Sequence, residues 1–301
     1  MACVTVGYLL KRSGFLNDCD VSSLTKILFW VIQPLFLFRT IFAVGHRITN
    51  ERSLFLAVTA AYLATLLLVW LLTRTVLNRD APRRRAISLF SAIRSNNVYL
   101  GFPICILAMG QVGEELASIY LATSIIGFQL LSVVAGEIGL SGTISLRSFG
   151  KTLMRLTKNP LIISCVSSVA LSVLWGKELP AFIDKPVEIL SAGASGLALL
   201  VLGAGIAFSG IFDLLKDTWA DVSIRMLIHP LIMWGCMLAW KMPPEMTKVA
   251  VLTSAMPLAV NVFFMSKGMG MDADYAARLI AATTILAVPT IPLWMIVLKI
   301  A

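Results

Sequence analysis

Two short stretches hold the residues whose types and spacing suit chemistry. Residues 94–103 read RSNNVYLGFP and residues 255–263 read AMPLAVNVF. Arg94 supplies a permanent cation. Asn96, Asn97 and Asn261 supply amides that both donate and accept hydrogen bonds, and Gln129 adds a fourth amide from another apolar segment. Such a set suits an anion, with Arg94 either binding a carboxylate or snorkelling to the cytoplasmic face; it contains no nucleophile–base pair. Gly101, Pro103 and Pro257 supply the means to interrupt a helix. Pro103 has no N–H for the carbonyl of Tyr99, and Pro257 has none for that of Thr253. Glycine lets the backbone leave helical geometry at little cost. Half-helix N-termini produced by such breaks carry partial positive charge and attract anions.

The elements that must position these residues are membrane helices. The chain is 58% hydrophobic and only 14% charged, against about a quarter charged in soluble domains. Apolar runs at 24–45, 54–72, 87–109, 116–140, 161–175, 187–211, 222–240, 249–268 and 278–300 approach the roughly 20 residues that span a bilayer. Residues 2–10 form a tenth, shorter apolar stretch, read as a truncated or half-length first helix. The short alternating strands of a membrane barrel are absent from the pattern. In hydrocarbon an orphaned carbonyl costs several kcal/mol, so the breaks at Pro103 and Pro257 require protein or a water-filled cavity beside them.

The net charge of +9 resides in loops, where lysine and arginine set topology, and gives no reason to invoke nucleic acid. The basic loop 74–85 is expected in the cytoplasm. Counting spans from it places the C-terminus outside. Five scattered cysteines and two distant histidines offer neither a disulfide framework nor a metal site, and no cofactor is expected. Among charged residues inside the runs, Arg39 is expected to snorkel outward. Arg225 and His229 are expected to be locally structural. Glu137, an acidic residue inside a predicted span, is the candidate for proton coupling.

A repeat links the two stretches. Residues 110–125, GQVGEELASIYLATSI, match residues 270–285, GMDADYAARLIAATTI, at an offset of 160. The same offset sets SNNVYLGFP against AMPLAVNVF, so each half carries one interrupted span. Five helices per half is an odd number, which inverts the second half relative to the first. Inverted repeats with paired broken helices are the plan of secondary transporters. The fold expected is therefore an all-α polytopic membrane protein of about ten helices. Residues 1–140 and 159–301 form the repeats, and 141–158 a basic cytoplasmic linker.

The chain resembles the auxin efflux carrier family, whose bacterial members include malonate and malate permeases and whose distant plant members are the PIN auxin exporters. The resemblance lies in YLLKRSGFLN at 8–17, FWVIQPLFLF at 29–38, SNNVYLGFP at 95–103, KNPLI at 158–162, ILSAGASGLALLVLGAGIA at 189–207 and AMPLAVNVFFMSKGMG at 255–270. It implies that helices four and nine cross at their breaks. Helices 1, 2, 6 and 7 would form a scaffold through which the protein dimerises. Helices 3–5 and 8–10 would form a moving transport domain in the plasma or inner membrane. It further implies Asn96 as a substrate contact, Pro257 as the crossover proline, and Leu37 and Phe38 lining the site. The long cytosolic loop of many plant members is missing, and Ser95 stands where they have proline.

The reading is a secondary carrier for a small organic anion, such as a dicarboxylate or an auxin-like carboxylate. Three alternatives stand beside it. A sodium-coupled bile-acid-type symporter shares the architecture, although the scarcity of intramembrane acids argues against sodium. A membrane enzyme would need catalytic pairs that are not seen. A channel would need a filter-like repeat.

Overall fold

The computed structural model describes residues 2–48, 51–75, 77, 81–141, 154, 157–158, 160–175, 179–204 and 211–300. The predicted linker, 141–158, lies almost wholly outside them. Among the described residues the chain is helical throughout, with one isolated β-bridge. Five segments are long and apolar enough to cross a membrane: Asp18–Ala43, Arg52–Thr75, Asn97–Leu140, Leu215–Ala239 and Ala273–Val297. That is fewer than the nine runs read from sequence, because several runs fold as two short helices rather than one long one.

The chain folds into two compact units. The first comprises residues 1–51, 98–123 and 157–207. It contains α1 (Ala2–Arg12), α2 (Asp18–Ile27) and α3 (Gln33–Ile48), with a π-helical turn at Leu28–Ile32 between the last two. It also holds α7 (Pro160–Trp175), α8 (Ala181–Ser191) and α9 (Ala194–Ala204). Asn17 starts α2 with a reciprocal capping box to Asp20. Small residues let these helices pack closely, as in other membrane bundles. A Cβ on Gly7 of α1 would lie 2.0 Å from the Leu200 carbonyl oxygen of α9, so only glycine fits there. Ser164 and Ser168 of α7 donate to the carbonyls of Pro34 and Phe38 on α3, the second at 3.0 Å. Arg39 pairs with two acids of α8. Its Nε donates to Asp184 Oδ1 at 2.7 Å, and Nη2 lies 3.5 Å from Glu188. The two acids on α8 offer a stronger partner than water at a membrane edge.

The second unit comprises residues 52–97, 124–156 and 208–301. Its helices are α4 (Arg52–Thr75), α5 (Pro82–Ser91), the later part of α6 (Phe102–Ser141), α10 (Ile211–Ser223), α11 (His229–Ala239), α12 (Pro244–Ser254), α13 (Asn261–Met269) and α14 (Ala273–Val297). A π turn, Ile224–Ile228, joins α10 to α11, and another, Asn97–Gly101, precedes α6. One face of α4 is apolar and bare: Phe55, Leu56, Leu63, Leu67 and Leu71 are about half exposed, as a lipid-facing side requires. The opposite face of α4 packs on α11, where Tyr62 stacks on His229 and Thr65 hydrogen-bonds its Nδ1 at 2.9 Å. Thr65 Oγ1 also lies 2.8 Å from the Ala61 carbonyl.

Two glycines 160 residues apart both take positive φ. Gly110 interrupts α6 with φ +60°, and Gly270 turns the chain between α13 and α14 with φ +77°. Both values fall in the left-handed region, which side chains disfavour.

Candidate functional site

Both apolar runs that carry the polar motifs are broken. In the first, α5 ends at Ser91, residues 92–96 leave helical geometry, and the π turn from Asn97 leads into α6. In the second, α12 ends at Ser254, residues 255–260 are irregular, and α13 starts at Asn261. Both prolines lie at or just after a break. Pro103 falls in the first turn of α6, where no N–H is needed, and Gly101 closes the π turn ahead of it. The break lies upstream, at 92–96. Pro257 sits inside the second break, and the Thr253 carbonyl still accepts from Met256 N–H at 3.2 Å. Asn261 consequently begins its own helix instead of extending the one that carries Pro257.

The two breaks pair with each other. Asn96 N–H donates to the Pro257 carbonyl at 2.8 Å, and Ala259 N–H donates to the Arg94 carbonyl at 3.1 Å. This forms an antiparallel bridge between Ser95 and Leu258. Leu258 N–H is taken by Thr283 Oγ1 of α14 at 3.1 Å. The carbonyls at the ends of α5 and α12 are collected by one side chain. Arg225 donates from Nη1 to Ala92 at 3.1 Å, and from Nη2 to Ser254 at 2.6 Å, to Met256 at 3.1 Å and to Ser95 Oγ. A buried backbone carbonyl must find a donor, and a guanidinium can serve several at once. The structural role expected of Arg225 from sequence is therefore wider than a local one. That it joins two helix ends depends on tertiary position, which spacing does not show.

Arg94 lies between the breaks and the interior of the unit, 1% exposed. Its Nη1 donates to Gln129 Oε1 at 2.5 Å and to Ser132 Oγ at 2.9 Å. Its Nη2 donates to Asn261 Oδ1 at 3.4 Å and to Met265 Sδ at 3.1 Å. The rings of Phe90 and Phe128 flank the guanidinium, with centroids at 4.8 and 5.9 Å. No carboxylate among the described residues compensates this charge. Nearby, Asn96 and Asn97 are 1% and 2% exposed. Among the described residues, Asn96 Oδ1, both polar atoms of the Asn97 side chain and Arg94 Nε have no hydrogen-bond partner. Buried polar groups are seldom left so. Their arrangement suits a ligand that both accepts and donates hydrogen bonds and carries negative charge.

Arg94, Asn96, Asn97, Asn261 and Gln129, all singled out in the sequence, lie in one unit, and the structure draws Arg94, Gln129 and Asn261 into contact. It adds Ser132, Met265, Phe90 and Phe128. Ser132 stands one turn after Gln129, Met265 one turn after Asn261 and Phe90 one turn before Arg94, a spacing that could have marked them. Glu137 is half-buried on α6, eight residues and thus about 12 Å beyond Gln129 along the axis. Leu37 and Phe38 belong to the first unit. Leu37 is fully buried there, and Phe38 stacks on Phe42 at 5.9 Å. In the same unit Gln33 donates to the Val98 carbonyl at 3.2 Å, a contact that spacing does not reveal. Asp184 is held below the usual carboxylate range by its hydrogen bond from Arg39.

Similarity to known proteins agrees with a transport site. The profile of the family described as membrane transport protein matches residues 1–295. An "Uncharacterized transporter" of Methanothermobacter thermautotrophicus is 24% identical, with 99% of this chain and 96% of the relative aligned. A "Putative malonate transporter" of Rhizobium meliloti is 24% identical over 71% of this chain and 68% of its own length. "Auxin efflux carrier component 1" of Arabidopsis thaliana is 24% identical over 48% of this chain, which spans 24% of that relative.

Proposed function

We propose, on the premise that this chain belongs to the membrane transport protein family, that it is a secondary active transporter for a small organic anion. One observation carries the reading: the buried guanidinium of Arg94 has no carboxylate counter-ion among the described residues and stands beside two asparagines with unused hydrogen-bonding groups. A buried, uncompensated charge is costly, and inside a membrane such a residue is a functional candidate by default. An organic anion supplies the missing charge. Asn97 Nδ2 then donates to its oxygens and Asn96 Oδ1 accepts from a donor on the ligand, while Gln129, Ser132 and Asn261 keep the guanidinium aimed.

The same reading takes the two broken helices as the crossing fourth and ninth helices of an inverted repeat. The antiparallel direction of the Ser95–Leu258 bridge supports it, since a two-fold axis in the membrane plane pairs equivalent segments head to tail. The positive-φ glycines at 110 and 270 support it as well. The N-termini at Asn97 and Asn261 add partial positive charge near the anion. Alternating access would open this cluster to each side of the membrane in turn. The division into scaffold and transport helices, the homodimer and the external C-terminus are parts of the same proposal.

The test is uptake of radiolabelled malonate, malate and indole acetate into proteoliposomes carrying wild type or Arg94→Met. Saturable uptake of one anion, lost in the variant, supports the assignment. Uptake linear in concentration would make the protein a channel. Uptake untouched by the substitution would move the site elsewhere, and dependence on sodium would favour the bile-acid-type symporter.

A further inference from the structure

A buried carboxylate outside the anion cluster has the construction of a proton carrier. Asp221, near the end of α10, is 4% exposed. Its Oδ2 accepts from Ser88 Oγ of α5 at 2.9 Å and from the Tyr275 hydroxyl of α14 at 2.6 Å. Each of these donors has a second acceptor within reach. Ser88 Oγ lies 3.4 Å from the Arg84 carbonyl, and the Tyr275 hydroxyl lies 3.2 Å from the Asp217 carbonyl. Two arrangements are therefore available without moving the backbone. With Asp221 ionised, both hydroxyls point at it. With Asp221 protonated, a hydroxyl turns to its carbonyl and accepts the carboxyl proton instead, because a hydroxyl both donates and accepts.

The charged groups around Asp221 do not neutralise it directly. From α5, Arg84 lies over the Tyr275 ring at 5.1 Å and pairs with Asp272 at 3.3 Å. From α14, Arg278 lies beside the same ring at 5.9 Å and pairs with Asp217 at 2.7 Å. On its own helix stand Lys216, Asp217 and, one turn on, Arg225. Arg84 and Arg278 are each 36% exposed at the side chain, so water approaches the ring that covers Asp221. Ser88 is one turn before Ala92, whose carbonyl Arg225 holds, and six residues before Arg94. Asp221 and Arg225 thus grip the same half-helix that leads into the anion cluster.

We propose that Asp221 is the proton-binding site of the carrier, and that its protonation, relayed through Ser88 and α5, is coupled to anion movement. This rests on the transport reading above. The proton comes from water on one side, resides on the Asp221 carboxyl with the charge neutralised, and leaves to water on the other side. This takes the coupling role expected from sequence for Glu137, which stands half-buried near the end of α6.

Two measurements on the reconstituted full chain test it. Infrared difference spectra across a pH series follow the C=O stretch of a protonated carboxyl, with no substrate required. One component of the band is expected in wild type and missing from the Asp221→Asn difference spectrum. Tyr275→Phe, which removes one donor to the ionised form, is expected to keep the band and shift it to higher pH. Malonate uptake is then compared with and without an imposed pH gradient. The gradient is expected to stimulate wild type and to have no effect on Asp221→Asn. A band unchanged in Asp221→Asn, or a gradient response that survives it, would overturn the proposal. Failure of every anion to enter with wild type would instead sink the transport reading, while the band still decides whether Asp221 binds a proton.

Discussion

Arg225 donates to the Ser254 carbonyl at 2.6 Å and to the Ala92 carbonyl at 3.1 Å, so one side chain closes the ends of two separate broken helices. Each helix end carries about half a negative charge. A single guanidinium therefore offsets both, and does so at the point where the two main chains meet.

Removing that group leaves buried carbonyls without donors, at about 1–3 kcal/mol each. Arg225→Gln is expected to lower the melting temperature in detergent sharply. Arg225→Lys should recover only part of the loss, because an ammonium lacks the planar fork that reaches both helix ends. A thermal melt of the three proteins checks this; equal melting temperatures would contradict it.

Arg94 should behave in the opposite sense. Its charge is buried without a carboxylate, and exchanging buried charge for apolar packing is often neutral or stabilising by about 1–4 kcal/mol. Arg94→Met is expected to melt no lower than wild type while losing anion uptake. Parallel melts and uptake assays separate this from simple misfolding.

Asn97 makes no side-chain hydrogen bond among the described residues. Asn97→Ala should therefore leave stability almost unchanged. If each hydrogen bond to the anion contributes about 0.5–1.5 kcal/mol, KM should rise by roughly twofold to tenfold for each one lost. A fall in melting temperature without a change in KM would assign the residue to structure instead.

The Arg39–Asp184 pair gives a prediction about pH. Its hydrogen bond depresses the Asp184 carboxyl. The stability it contributes is thus fully present above the unfolded value, about 3.9, and is lost only as pH falls through the lower folded value. Both side chains are partly exposed, 38% and 28%, so the contribution is small, about 0–1 kcal/mol. The melting difference between wild type and Arg39→Gln should stay constant from neutral pH down to about 5 and shrink only in stronger acid.

How much of this is legible in the sequence follows from the kind of signal each residue carries. SNNVYLGFP and AMPLAVNVF stand out because asparagine, glycine and proline are conspicuous in an apolar run, and both are breaks. Spacing places the second break at Pro257, where it is, and the first a few residues after its position at 92–96. A proline marks where a helix cannot continue its hydrogen bonds, and a proline at a helix start marks the same thing from the other side. Pro103 belongs to the second kind. Hydropathy overcounts the long spans because it does not see that residues 249–268 fold as two pieces. Asp221 carries no comparable signal, since it stands just ahead of the apolar run at 222–240, where an acid ordinarily meets water. Its burial comes from Ser88 and Tyr275, distant in sequence. The family resemblance reaches the broken helices through residues that do bend the backbone, which is why it holds.

The junction of the two broken helices is made by main chain: Asn96 N–H to the Pro257 carbonyl, and Ala259 N–H to the Arg94 carbonyl. Amide groups are the same whatever residue bears them. Apart from Arg225 and Thr283, which add side-chain bonds here, side chains at this junction can vary without undoing these main-chain bonds. Under the proposed transport reading, a change of cargo would begin at Asn96 and Asn97, with Arg225 left in place as the fastener.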